Sequence, residues 1–301
     1  MLLAVGLTVA NLCNPPYLLL ISSAIYLESM LRQKNKPLSN LTKQIAIPGI
    51  LGGLGPLAHI EFELRLLKES AKRGSCCDQE YPVWILVSAT DIPDRTKSLS
   101  GEAPDCVPHL VRYGKLLQKA GADFLIVTCN TAHVFYDRVQ PQLDIPWVHL
   151  IESTIDTIVK QYPTVTQVGV LATSGTLSNS LYNSYLLQTG LIPVFPPLDS
   201  EIQNEVMQAI YSPEWGIKTT GSRVSEQVFQ VLERAVFYLA DRGAELVVAG
   251  CTELSIALSR MKNLPLKVVD PLSVAAKVSI DLAFDGTQLN SPQLNSQIAA
   301  A

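Results

Sequence analysis

Along this chain the apolar residues fall into short, dense runs separated by longer stretches in which they recur every three or four positions. The runs cover 47–51, 83–87, 124–127, 148–151, 168–171, 246–249 and 267–269. Such runs, without polar alternation, predict strands buried on both faces, and the intervening periodicity predicts helices. Strand and helix in alternation predict an α/β protein whose mainly parallel sheets are covered by helices.

The pattern also repeats. Gly121-Ala-Asp-Phe-Leu-Ile-Val-Thr-Cys129 aligns without a gap on Gly243-Ala-Glu-Leu-Val-Val-Ala-Gly-Cys251, an offset of 122 positions. Upstream, Ile47-Pro-Gly-Ile-Leu-Gly-Gly-Leu-Gly55 matches Gln167-Val-Gly-Val-Leu-Ala-Thr-Ser-Gly175 at an offset of 120. Downstream, Ile145-Pro-Trp-Val-His-Leu-Ile-Glu152 echoes Leu264-Pro-Leu-Lys-Val-Val-Asp270. Three matches in one order predict two copies of one domain facing each other across a pseudo-twofold axis. The expected division is a first domain of 45–152 plus 271–288 and a second of 153–270. In parallel α/β sheets ligands bind beyond the carboxyl ends of the strands, where Gly52-Gly53, Thr173-Ser174, Cys129 and Cys251 stand. The active site is therefore expected in the cleft between the domains.

Composition narrows the chemistry. The chain has 301 residues, 48% of them hydrophobic, enough for a substantial core, and its formal net charge of -4 offers no basic surface for nucleic acid. Cys13, Cys76, Cys77, Cys106, Cys129 and Cys251 follow neither a disulfide framework nor a zinc pattern, and none of the four histidines forms a helical metal pair. Reduced thiols, no metal and a cytoplasmic location are expected. Residues 1–27 are apolar but interrupted by Asn11, Asn14 and Pro15-Pro16, and the continuous part, 17–27, is about half of what a spanning helix needs. No Lys or Arg precedes it, so 1–44 is taken as an appendage and linker, neither export signal nor membrane span. Residues 289–301 complete a tail rich in Gln, Asn and Ser that begins near Gly286.

Two cysteines at equivalent strand ends suit racemisation, in which a proton leaves one face of an α-carbon and another arrives on the opposite face. A thiol with an ordinary pKa near 8.5 serves as base or acid close to neutrality. Both cysteines precede a helical pattern, where backbone N–H groups favour negative charge. Asn130, Thr131 and Thr252 supply donors for a substrate carboxylate or a thiolate.

Gly52-Gly-Leu-Gly-Pro-Leu-Ala58, Ile92-Pro-Asp-Arg-Thr96, Cys129-Asn-Thr-Ala-His133, His149-Leu-Ile-Glu152 and Gly250-Cys-Thr-Glu-Leu254 together resemble the aspartate racemase branch of the aspartate/glutamate racemase superfamily. The resemblance spans roughly 45–285. It implies a pyridoxal-independent two-base racemase of aspartate that needs no cofactor, with Cys129 and Cys251 as alternating acid and base, assembled as a homodimer. It further implies Arg95 and Lys218 as partners of substrate carboxylates, Arg through a planar fork and Lys as a point charge. Gly53 and Thr173 join them as substrate-binding candidates. Two departures stand out. Glu253 occupies the place where glutamate racemases carry His, and a carboxylate there raises a neighbouring thiol unless it is paired. His59 stands where Thr is expected. His133 is read either as orienting the Cys129 loop or as a buried, hydrogen-bonded core histidine. The alternatives are a racemase of broader or different specificity, including glutamate, and a two-lobed binding protein without chemistry. Gly52-Gly-Leu-Gly55 lacks the spacing of a dinucleotide fingerprint.

Overall fold

The computed structural model describes residues 43–285, so the apolar N-terminal run, Cys13 and the C-terminal tail lie outside the described residues. Strands β1 (Pro48–Gly52), β2 (Ile85–Ser88) and β3 (Phe124–Val127) form one parallel sheet in the order β2-β1-β3. Strands β4 (Gln167–Leu171), β5 (Ile192–Val194), β6 (Leu246–Ala249) and β7 (Lys267–Val269) form a second parallel sheet in the order β5-β4-β6-β7. The two orders superimpose: β1 corresponds to β4, β2 to β5 and β3 to β6. Where β7 flanks β6, Trp147 makes a single parallel bridge to Leu125.

Alternation along each strand divides the apolar core into layers. Ile50, Phe124 and Ile126 from the first sheet share one buried cluster with Val168, Val170, Leu246 and Val248 from the second. Helices Leu150–Gln161 and Pro271–Asp285 contribute to the same cluster, and Pro271–Asp285 packs on Pro56–Arg73 as well. The alternate residues face outward into separate clusters, Leu51, Leu125 and Val127 in one and Leu171, Val247 and Ala249 in the other.

The repeated Gly-Ala-acid sequence has a physical reason in each copy. Gly121 and Gly243 both take positive φ, 100° and 88°, as the preceding helix ends, a conformation that disfavours any residue with a Cβ. Asp123 and Glu245 then pin the neighbouring strand from both sides. The Asp123 carboxylate accepts from Ile47 N at 2.7 Å while Asp123 N donates to Ile47 O at 2.8 Å. In the second copy Glu245 accepts from Gln167 N at 2.8 Å and donates to Gln167 O at 3.0 Å. The small residue between glycine and acid leaves room for β1 or β4 to pass: a Cβ on Gly49 would lie 2.7 Å from Ala122 Cβ, and one on Gly169 3.2 Å from Ala244 Cβ.

Two expected strands differ. The run 148–151 is not a strand: after the bridge at Trp147 the chain turns into helix Leu150–Gln161, and His149 Nδ1 caps it by accepting from Glu152 N at 3.3 Å. An apolar run that short is compatible with either state, and the cap decides. The run 83–87 pairs only from Ile85 and extends to Ser88. Strand β5 was not anticipated, because Pro193 and an exposed Ile192 break the apolar pattern, as an edge strand allows. Among the described residues no helix is long and apolar enough to cross a membrane. Cys76, Cys77, Cys106, Cys129 and Cys251 are free thiols.

The close passage of β1 over Ala122 makes Gly49→Val a test of the packing. Overfilling a tight core costs about 1–3 kcal/mol, so thermal unfolding should show a melting temperature lower by roughly 3–10 °C. An unchanged melting temperature would mean that the helix before β3 shifts freely, contrary to the pinning described.

Candidate active site

The carboxyl ends of both sheets feed one cavity. It is narrow and lined by Leu54, Arg95, Cys129, Asn130, Thr131, Thr173, Tyr211, Lys218, Cys251, Thr252 and Glu253. All of the sequence-predicted residues stand here except Gly53 and His133.

Cys129 follows β3 and leads, through Asn130, into the short helical turn Thr131–Phe135, while Cys251 follows β6 and is the N-cap of helix Thr252–Leu258. Both thiols are buried. Their surroundings differ. Cys251 Sγ donates to Glu253 Oε2 at 3.1 Å, and burial together with the Glu253 charge pushes its thiol pKa well above the ordinary value. Lys218 Nζ donates to the other oxygen, Glu253 Oε1, and Thr252 Oγ1 donates to Oε2 at 3.2 Å. Burial alone would raise the Glu253 pKa; the Lys218 ammonium outweighs it and holds Glu253 below the usual carboxylate range. Lys218 is likewise held above its ordinary value, because the Glu253 and Cys251 charges outweigh its burial. The carboxylate that in isolation would oppose a thiolate is therefore paired. Gly55 is required beside it: a Cβ there would lie 2.3 Å from Glu253 Oε1.

Arg95 begins helix Arg95–Ser100 and is 8% exposed, so its guanidinium depends on protein partners. Nη1 donates to Pro93 O at 3.0 Å and Ile92 O at 3.4 Å, and Nη2 donates to Leu54 O at 2.6 Å. Nε is buried with no partner. Three carbonyls thus fix the plane and leave the Nε–H open for an anion. Burial disfavours the Arg95 charge, but Cys129 and Asp94 nearby more than offset it and raise its pKa.

Thr131, Thr173 and Thr176 form a closed triangle of hydroxyls at 2.9–3.1 Å, joining the loop after β3 to the turn after β4. Thr173 also caps helix Ser174–Ser178. Asn130 Oδ1 accepts from Tyr182 Oη at 2.6 Å, whereas its Nδ2 is buried without a partner.

Gly53, with φ of 88°, packs so closely that a Cβ would lie 2.4 Å from Ala89 N; its own N–H donates to His59 Nδ1 at 3.1 Å. The unexpected His59 therefore acts as a buried acceptor, and burial lowers its pKa. His133 lies behind the Cys129 loop. Its Nε2 accepts from Trp147 Nε1 at 3.1 Å, which leaves Nδ1 to donate to Cys129 O at 2.9 Å, and burial brings its pKa down to about 4. A neutral histidine of this kind supports the loop carrying Cys129. Leu54, Tyr211, Thr176 and Tyr182 belong to the site or its support without any sequence motif to mark Tyr211 or Tyr182. Thr176 had a signal, standing three residues after the capping Thr173.

The sequence and the fold have counterparts among known proteins. A broad specificity amino-acid racemase, RacX of Bacillus subtilis (strain 168), is 27% identical over 241 residues, which cover 78% of this chain and 98% of RacX. An aspartate racemase from Picrophilus torridus shares the fold with a TM-score of 0.67 at 23% identity, covering 79% of this chain and 94% of that one. An aspartate racemase homologue from Pyrococcus horikoshii OT3 is 26% identical with a TM-score of 0.58, covering 79% of this chain and 99% of its own. The family model for Asp/Glu/hydantoin racemases matches residues 51–278, and the chain belongs to that family.

Proposed function

We propose that this protein is a cofactor-independent amino-acid racemase that interconverts L- and D-aspartate by proton transfer between Cys129 and Cys251. The observation that carries this reading is the convergence of both thiols, one from each sheet, on a single cavity that also holds Arg95 and Lys218. One cysteine, as thiolate, takes the α-proton and becomes a thiol; the electron pair left on the α-carbon delocalises into the α-carboxylate. The other thiol delivers its proton to the opposite face and becomes the thiolate. Cys251, held as a thiol by burial and Glu253, is the acid in the first passage, so the role of base falls to Cys129.

Arg95 and Lys218 bring two cationic side chains to one buried cavity, which suits a substrate with two carboxylates. The pairing of Lys218 with Glu253 favours, as the second reading, a racemase of broader specificity, in which Arg95 alone holds the α-carboxylate. Two exposed-to-substrate thiols also call for a reducing compartment, in keeping with the cytoplasm; a homodimer is part of the same proposal.

The decisive experiment is incubation with a panel of L- and D-amino acids in deuterated water, read by chiral separation and mass. Aspartate should racemise with deuterium entering the α-position, and Cys129→Ala and Cys251→Ala should each slow it by about 10²–10⁴-fold. Retention of most of the rate in either folded variant would remove the two-base mechanism, and absence of exchange with every amino acid would leave a binding protein.

For specificity, Arg95→Gln should raise KM for aspartate at least tenfold, an estimate of about that size following from loss of a buried charged partner. Glu253→Gln,Lys218→Gln, which removes both charges together, should raise it too. If neither protein changed its preference for aspartate over a neutral amino acid, broad specificity would be the better reading.

Glu253→Gln alone should move the pH dependence of Cys251 alkylation, followed by peptide mass, to lower pH. The sign follows from electrostatics: removing a negative neighbour stabilises the thiolate, while Lys218 stays. A profile that stayed in place or moved upward would show that burial alone sets the Cys251 thiol.

A further inference from the structure

Asn130 is 1% exposed and lines the cavity, and its two amide atoms are treated differently. Oδ1 accepts a 2.6 Å hydrogen bond from Tyr182, while Nδ2 is buried with no partner. A buried, unpaired amide N–H₂ is costly to leave unmade unless a ligand completes it. Tyr182 lies on helix Leu181–Gln188, beside the four-stranded sheet, and is 2% exposed; Asn130 follows β3 of the three-stranded sheet. The bond therefore ties the two halves of the molecule together at the edge of the site.

We propose that Tyr182 is a positioning residue: its hydroxyl fixes the orientation of the Asn130 amide so that both Nδ2 hydrogens face the cavity, as donors for the carboxylate of the amino-acid substrate. An amide can turn over and exchange its oxygen for its nitrogen at little steric cost. Turned over, Asn130 would present Oδ1 to an incoming carboxylate, a repulsive contact. It would also make the Tyr182 hydroxyl an acceptor, with its own proton left in an apolar core that includes Val168, Val170 and Leu186. Among the described residues Tyr182 Oη makes no hydrogen bond other than the one to Asn130. The chemistry of a phenol thus selects one of two amide orientations. The opposite cysteine has no such donor. The equivalent of Asn130 in the repeat is Thr252, whose hydroxyl is already engaged with Glu253. The carboxylate is accordingly anchored on the Cys129 side by Asn130 Nδ2 and Arg95 Nε, the two buried unpaired N–H groups of the cavity lining.

The inference uses the amino-acid substrate of the preceding section for its ligand, and its test separates the two. Racemisation of aspartate is measured for the parent protein, Tyr182→Phe, Asn130→Ala and the double variant, with melting temperatures to establish folding. Tyr182→Phe should raise KM about three- to tenfold, the size of one neutral hydrogen bond, with a smaller change in kcat. In the Asn130→Ala background the same substitution should leave KM unchanged, since the group being oriented is gone. Equal effects of Tyr182→Phe in both backgrounds, or an unchanged KM in a folded Tyr182→Phe protein, would overturn the proposal. Neutron diffraction from the parent protein reads the orientation directly, without dependence on activity or on folding of a variant. Deuterium on the Tyr182 oxygen directed at Asn130, with both amide deuteriums toward the cavity, is expected. An amide deuterium directed at the Tyr182 oxygen would overturn the assignment. A parent protein inactive on every amino acid would remove the racemase reading and leave the neutron result to decide this one.

Discussion

The Lys218–Glu253 ion pair is the constraint around which the site is arranged. Removing one partner of a buried pair costs about 3–5 kcal/mol, because the remaining charge has lost its hydration and gained nothing in exchange. With the Glu253 side chain 6% exposed, its second oxygen must also be satisfied, and Cys251 and Thr252 do so from adjacent positions at the start of one helix. The consequences reach back through the fold. Gly55 has no side chain because Glu253 occupies the space a Cβ would need. Cys251 keeps its proton because its nearest acceptor is anionic. Lys218, on the short helix Ile217–Thr220, is held with its ammonium over the ring of Tyr211, 5.5 Å from the centroid.

A symmetric scaffold thus carries asymmetric chemistry. Both copies use the same Gly-Ala-acid device to pin a strand and deliver a cysteine to its end, and the topology of the two sheets repeats. Around the thiols the copies diverge. On the Cys129 side stand neutral donors, Asn130 and Thr131, with Arg95 held by three carbonyls. On the Cys251 side stands an ion pair.

The support behind the site is largely apolar and crosses between the sheets. One core cluster contains residues of β1, β3, β4 and β6, so the strand ends are fixed relative to one another by packing. Small polar ties at the rim, the Thr131–Thr173–Thr176 triangle and the Tyr211–Asp94 bond at 3.1 Å, act in the same direction.

Local sequence determined a great deal of this. Dense apolar runs specified parallel strands, the repeat specified two equivalent sheets, and the cysteines at repeated strand ends marked the site, because strand periodicity and turn chemistry are properties of neighbouring residues. Asn130, Thr131, Thr173 and Thr252 were legible beside those strand ends, Arg95 in the segment after β2, and Lys218 only through the family resemblance. What the tertiary structure alone decided are relations between residues far apart in the chain. Strand β5 formed because β4 offered an open edge to a segment with Pro193 in it. Gly53 reads in sequence as a substrate contact, yet in space its N–H is taken by His59. Glu253 looked unfavourable beside Cys251 until Lys218, 35 positions away, was found on its other oxygen. Tyr182, 52 positions from Asn130, carried no motif at all. A hydrogen bond or ion pair depends on distance and direction in space, and the linear order of residues specifies neither until the core has packed.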